Sequence, residues 1–399
     1  MFFARVRRGD DAGLLSCGLK AEMLSATIRA MENLREIVYV LLLAACCVAL
    51  WFVPPPQALA MSEGEAVRAR VVSVDDSLLE THGFLEFGTQ HLEVEILQGQ
   101  KKGQTFRAAN ELRAQMELDK RFSAGDTALV IVRTDDVPGK SVLVARDHWR
   151  LGWAIGLFGA FCLLLCAFGG WTGVKALFSF VFSCFVVWKG MIPLALRGWP
   201  ASWTAFAATC LLTAVIMYLV AGPTRKGLAA FLGSSLGVFA GLAMAHVFGR
   251  LMHINGATLP YVQALLYSGY DFLDLPDVFI GAAVLASSGA VMDLAMDIAS
   301  GVEEVARHNP SLPARELLKS GLRIGRSVTG TMTTTLLLAY SGGFLTLLMA
   351  FAAQGTAPRD FLNSMLVSAE LVKTLIGSFS LVLVAPFTAF VSARVFRPA

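Results

Sequence analysis

Asp293 and Asp297 lie four residues apart inside the apolar run VFIGAAVLASSGAVMDLAMDIASG. Four residues make about one helical turn, so both carboxylates share one face of an expected membrane-spanning helix. A charged side chain at bilayer depth costs on the order of 2.5–3.5 kcal/mol on insertion scales, and such residues mark bundle interiors, water-filled paths and proton relays. A carboxylate held there can take up and release a proton, or coordinate a hard cation such as Na⁺ together with hydroxyl and carbonyl oxygens. The next apolar run supplies such hydroxyls: Thr331, Thr334 and Thr335, within a Thr-rich stretch from Thr329. The plainer role for a threonine in a helix is to bond a carbonyl one turn back. Glu370 and Lys373, three apart in the last apolar run, complete the ionisable set. They either pair with one another on one helix face, or Lys373 reaches Asp293 and is released when that carboxyl is protonated.

These residues need a bilayer and a bundle to position them. The chain has 399 residues, 55% of them hydrophobic and 16% charged, and its mean hydropathy is +0.61. A soluble chain carries nearer 25% charged residues, so the composition reads as an α-helical polytopic membrane protein whose partner is the lipid bilayer. A net charge of +3 gives no case for nucleic acid. Apolar runs long enough to span, at about 20 residues each, fall near 37–53, 151–169, 176–196, 202–221, 227–248, 277–300, 327–352 and 364–392, giving about eight spans. With residues 1–36 as a cytoplasmic tail, sixteen Lys and Arg fall on the inner side, among them Arg225, Lys226, Arg315, Lys319 and Arg323. The short outer loops hold three, Arg197, Arg250 and Arg359. That asymmetry puts both termini inside. The sixth span then runs inward and ends near Ser300, which sets Asp293 roughly 10 Å deep at ~1.5 Å per residue.

The first span, 37–53, is an anchor or a signal peptide: a basic tail precedes it, and PPPQALA, with small residues at Ala58 and Ala60, follows. The anchor is the favoured reading, and Met23 or Met31 are alternative starts. Residues 54–149 form the one sizeable polar stretch, expected outside the cytoplasm between the first and second spans. VRARVVSV, HLEVEILQG, DTALVIVR and SVLVAR have strand patterns with turn signals between them. NELRAQMEL reads as a short helix. A stretch of this length with five or so strands predicts a small β-barrel-like, OB-like domain. Its phenylalanines are scattered, which gives no stacking platform for nucleic acid. The domain serves as a cap or docks an extracytoplasmic protein partner, and a homo-oligomer is a further possibility.

Residues 150–399 form a seven-helix transmembrane domain with a cytoplasmic loop at 301–326. There Pro310 and Pro313 interrupt a helix, and LPARELLKSGLRIG reads as an interfacial helix under the bundle. Gly233 and Gly237 have the spacing that lets two helices approach closely. Lys189 is expected to snorkel. Seven cysteines without a Cys-x-x-Cys pair indicate neither a disulfide framework nor a zinc site. His246 and His253 share a face without metal-ligand company. Nucleophile–base pairs, H-E-x-x-H and P-loop patterns are absent, so no enzyme activity and no cofactor is expected.

SGAVMDLAMDIASGVEEV followed by LLKSGLRIGRSVTGTMTTTLLLAYSGG resembles the signature of the YibE/F family of bacterial multi-pass membrane proteins. The Asp147–Arg150 exit from the outer domain and the LIGSFSLVLVAPFTAF end also fit, and the resemblance covers about 60–392. It implies one anchor, an extracytoplasmic domain and seven further spans in the inner membrane, with a transporter or permease role and no stated substrate. The order of Asp-bearing helix, basic amphipathic stretch and Thr-rich helix is also similar to the proton-conducting half of resistance–nodulation–division transporters. Here the Asp helix is the sixth span, not the fourth, and the outer domain is much smaller. The expectation is a secondary transporter or export-type energy transducer coupled to H⁺ or Na⁺ through Asp293, Asp297, Thr331, Thr334, Thr335, Lys373 and Glu370. The rival is a membrane scaffold or receptor whose β domain binds a partner.

Overall fold

The computed structural model describes residues 38–39, 43–49, 51–52 and 64–397, apart from 84, 117 and 134. The expected tail 1–36 and the candidate cleavage site at 58–60 lie outside the described residues. Within the expected first span, residues 38–39, 43–49 and 51 are helical. The chain divides into two compact units, residues 57–167 and residues 168–399 with those before 57.

In the first unit, β1 (Glu65–Asp75), β3 (Leu85–Ile96), β4 (Thr105–Arg113), β5 (Thr127–Val132) and β6 (Val142–His148) form a ring in the order β1-β5-β6-β4-β3, and β3 pairs back onto β1. The short β2 (Leu79–His82) extends β3 as a hairpin. The result is a small closed five-stranded barrel, the strand number of OB-type barrels. Every pairing is antiparallel except β4 with β6. Alternation builds the core: Val67, Ala69 and Val71 of β1, Leu92, Val94 and Ile96 of β3, Phe106 and Ala108 of β4, and Val130 of β5 all point inward. Burying each large one contributes about 1.5–3 kcal/mol.

The helix expected over NELRAQMEL is not there. Its first four residues finish β4, where Phe106, Ala108, Asn110 and Leu112 are buried with a period of two. Asn110 takes an inward position with its amide nitrogen satisfied: Nδ2 donates to Gln90 Oε1 at 3.1 Å and to Lys120 O at 2.7 Å. Past Ala114 the Asp119 carboxylate accepts from the amides of Arg113 (3.0 Å) and Gln115 (2.7 Å), folding the chain back. That return places Phe122, 1% exposed, as a plug in the core.

The helices are α1 (Leu151–Phe185), α2 (Ile192–Leu196), α3 (Ala201–Ala221), α4 (Arg225–Leu251), α5 (Val262–Tyr267), α6 (Leu275–His308), α7 (Ala314–Gly343), α8 (Leu345–Ala353), α9 (Pro358–Asn363) and α10 (Met365–Val395). Among the described residues five helical stretches are long and apolar enough to cross a bilayer, or six if α7 and α8, bent by 65°, are one span. Eight were expected. The first is described only in part and is not among these stretches. The second and third join in one 46-residue stretch, Leu151–Leu196. The loop expected between them shrinks to Gly170 (φ 51°, ψ −131°), because nothing in 171–175 stops a helix. Val186–Met191 in that stretch is a π-helical turn.

The interfacial helix expected near 312–325 also differs. It is the first three turns of α7 and runs without a break into the stretch expected as the seventh span. Leu317, Gly321 and Gly325 make a packing stripe on which Ala389 and Ala385 of α10 and Val302 and Ile298 of α6 press. The basic residues lie off that stripe.

In the second unit α6 is the central helix, packed by α3, α4, α10 and α7. The α4–α10 seam is the tightest: Gly233, Gly237 and Gly241 face Thr388, Val384 and Ser380, and a Cβ at Gly237 would lie 2.8 Å from Val384 Cβ. Small residues at such spacing let backbones approach and gain dispersion contacts. From the helical residues before 52, Leu43 packs with Phe182, Val186, Ala208 and Leu212, and Tyr39 stacks on Tyr218 at 3.7 Å.

Candidate functional site

The start of α6 is well specified. Asp274 caps it by accepting from the Asp277 amide at 3.3 Å, and Pro276 occupies the first turn, where its missing N–H is no loss. Val284, Ser287, Val291, Leu294, Ala295, Ile298 and Val302 then face the surrounding helices. Those neighbours form an arc, α3–α4–α10–α7, in which each packs on the next. The arc opens between α7 and α3.

Asp293 and Asp297 stand on the open side, one turn apart and both exposed, in line with Ala286 and Gly289. No side-chain hydrogen bond or ion pair holds either carboxylate among the described residues. Two contacts fix their level against α7. Ser287 of α6 and Leu336 and Tyr340 of α7 all come against Gly377 of α10, and Ile298 of α6 meets Gly325 of α7. Between those levels α6 carries Asp293 and Asp297, and α7 carries the threonines.

Thr331, Thr334 and Thr335 are exposed as well. Their hydroxyls donate to carbonyls of their own helix: Thr331 to Val328 at 2.9 Å, Thr334 to Gly330 at 3.2 Å and Thr335 to Thr331 at 3.0 Å. Their lone pairs are thus offered outward, as acceptors, while their protons are committed. Carboxylate and hydroxyl acceptors of that kind suit a proton, hydronium or a hard cation.

Lys373 and Glu370 are brought to each other and not to α6. Nζ lies 2.8 Å from Oε1 and 2.7 Å from Oε2, with about a quarter of each side chain exposed. Nearby, the Tyr340 hydroxyl is buried and has no hydrogen-bond partner among the described residues. At the C-terminal end of α6, Glu303 pairs with Lys226 of α4 at 3.4 Å and Glu304 with Arg307 at 2.7 Å, so those carboxylates are spoken for.

One cluster escaped the sequence reading. Asp277, in the first turn of α6, accepts from the Ser202 amide of α3 at 3.0 Å and stands 3.8 Å from Nε2 of His246 on α4. Its signal was indirect: Pro200, which precedes α3, has no side chain able to cap it, so an acceptor had to come from elsewhere. No group of three or more His, Cys, Asp or Glu able to hold a metal is present among the described residues.

Neither the curated proteins nor the solved structures contain a match to this chain. Two family models do match: the YibE/F family N-terminal domain over residues 68–141, within the barrel, and YibE/F-like protein over residues 157–398. The second alone spans more than half of the sequence and includes both carboxylates, the threonines and the α10 ion pair, so the chain belongs to the YibE/F family.

Proposed function

We propose that this chain is a secondary transporter or an export-type energy transducer of a bacterial cytoplasmic membrane, driven by H⁺ or Na⁺ through Asp293. The supporting observation is the placement of two carboxylates, one turn apart, on the open face of a central helix and level with a hydroxyl-bearing stretch of α7. A carboxylate turned to hydrocarbon is costly, so the opening between α3 and α7 is read as a water-accessible path. Cation uptake at Asp293 would neutralise it and let that path close, which is the elementary step of coupling. Asp297 and the oxygens of Thr331, Thr334 and Thr335 would relay the cation along the same face. Glu370 and Lys373, neutral as a pair, would belong to the opposite, outer part of the route. Both termini are assigned to the cytoplasm and residues 54–149 to the outside, on the asymmetry of Lys and Arg. The reading is non-enzymatic and calls on no cofactor.

A scaffold or receptor is the second reading, favoured by one feature of the barrel. The loop pinned by Asp119 presents Met116 and Leu118, 72% and 55% exposed, to the outside, and an extracytoplasmic partner would bind there. Purified protein in liposomes loaded with pH- and Na⁺-sensitive dyes separates the two. Cation movement that follows an imposed gradient and disappears with Asp293→Asn supports transport. Liposomes that move neither ion, with the barrel still capturing a partner, favour the scaffold.

A further inference from the structure

We infer that the groove between the π-helical turn and the first half of α3 binds an anionic phospholipid, with one acyl chain in the groove and the phosphate at Arg197. The site involves neither Asp293 nor the open face of α6.

A proline and a glycine build it. Pro193 has no N–H for Lys189 O, four residues back, and its ring crowds that carbonyl. The turn before it is widened accordingly: the Ile192 amide donates to Val187 O, five residues back. Gly198, at φ 88°, then ends α2. Its amide donates to Ala195 O at 3.0 Å, and the Trp199 amide donates to Leu194 O at 3.2 Å. That paired closure brings the residue after the glycine against the last turn of the helix. Trp199 and Leu194 both line the groove as a result. Gly190 leaves its floor open, since a Cβ there would meet nothing within 4 Å.

The space measures about 340 Å³, and Met191, Leu194, Trp199, Trp203, Ala207 and Leu211 bound it. Thr204 also lines it, but its hydroxyl donates to Ala201 O at 2.9 Å. The walls therefore suit hydrocarbon and offer little to a polar ligand.

Length selects the occupant. From Pro200 to Leu211 the groove follows α3 for about 16 Å at ~1.5 Å per residue. Half of a ~30 Å hydrocarbon core is about 15 Å, so the groove is one leaflet deep. A helix from a second copy needs the full core, and that course is taken. Val186 and Ala208, which border the groove, also pack with Leu43, and Leu43 shares that cluster with Leu212 and Leu219 further along α3. A single lipid chain fits where a helix does not.

Charge selects the headgroup. Arg197 stands in the turn that joins the two walls, exposed and without an ion pair among the described residues. Phe272 comes against Gly198 beside it, yet the neighbouring Asp271 makes no ion pair with Arg197. Trp199 and Trp203 flank the same end, the level at which tryptophan meets lipid headgroups. A guanidinium there matches a lipid phosphate.

The test uses the full chain, stripped of copurified lipid in detergent. It is titrated with palmitoyl-oleoyl phosphatidylglycerol, and separately with phosphatidylcholine of the same chains, and bound lipid is counted by native mass spectrometry. Wild type should bind the first phosphatidylglycerol about fivefold more tightly than phosphatidylcholine, the effect of one basic residue on an anionic lipid. Arg197→Gln should abolish that preference and Arg197→Lys should largely keep it. Gly190→Leu fills the floor and should weaken both lipids by about tenfold or more, because it displaces chain methylenes. Ala207→Leu, from the opposite wall, should do the same and serves if Gly190→Leu fails to fold. An unchanged preference in Arg197→Gln overturns the headgroup assignment. Unchanged binding in the groove-filling variants overturns the site, as does a lipid-free wild-type dimer that Ala207→Leu splits into monomers.

Discussion

Lys373 Nζ lies 2.8 Å from Glu370 Oε1, one turn back along α10, so the two charges this helix carries into the bundle cancel each other on a single helix face. Glu370→Gln would leave the ammonium without its partner. Breaking a fully buried pair costs about 3–5 kcal/mol, and partial exposure reduces that figure here. The expected result is a lower yield of folded, monodisperse protein in size-exclusion chromatography. Replacing both residues together, by Glu370→Leu with Lys373→Met, should restore the yield, since no charge is then stranded. A double variant that folds worse than Glu370→Gln would show that the pair does more than neutralise itself.

Asp293 should respond in the opposite way. Its carboxylate has no ion-pair partner among the described residues, so Asp293→Asn removes a charge without stranding another. Folded yield should stay within about twofold of wild type, while cation-driven flux in proteoliposomes is lost. Asp297→Asn, one turn nearer the C-terminal end of α6, should lower flux by a smaller factor. Full flux in Asp293→Asn would remove Asp293 from the coupling route.

The barrel should stand on its own. Residues 64–149 include all six strands, and the pairing of β3 with β1 leaves the five-stranded ring without a missing member. Expressed alone, they should give a β-type circular dichroism spectrum and unfold in one cooperative step. Phe122→Ala empties the plug position and should cost about 3–5 kcal/mol in urea unfolding. A loss under about 1 kcal/mol would mean that the 114–126 loop is not part of the cooperative core.

Acid should weaken the same fragment through Asp76. The Arg121 guanidinium, 2.6 Å away, and the Gln90 amide at 2.8 Å hold its carboxyl below the usual carboxylate range. A depressed carboxylate contributes stability above its unfolded value, and that contribution is lost as pH falls through the folded value. Asp76→Asn should therefore be less stable than wild type at pH 7, and the gap should shrink as the pH is lowered from about 4. Chemical unfolding at several pH values checks this, and a constant gap would rule the linkage out.

Much of this was legible in the sequence because its signals are periodic. The strand patterns of VRARVVSV and DTALVIVR survive as β1 and β5, and the four-residue spacing put Asp293 and Asp297 on one face as expected. β4 was hidden because Asn110 occupies an inward position, which breaks the apolar alternation, and its bonds to Gln90 and Lys120 come from distant parts of the chain. The continuity of α7 was hidden by composition. Its basic residues read as an interfacial surface, while the stripe that packs, Leu317, Gly321 and Gly325, is mostly glycine and has no hydropathy to announce it. Whether the Asp face would be covered by other helices depends on which neighbours surround α6, and no local pattern records that. Asp277 and His246 belong to different helices and meet only in the folded chain.

The glycine seam between α4 and α10 has a mechanical meaning. At Gly233, Gly237 and Gly241 the two helices already touch with no room for a single added carbon, so a slide of even one residue rise, about 1.5 Å, would drive side chains into backbone. Such a joint transmits rotation but not translation. The pair is the fixed part of its unit, and under the transport reading proposed above any swing would fall to the helices at the free ends of the arc, α3 and α7.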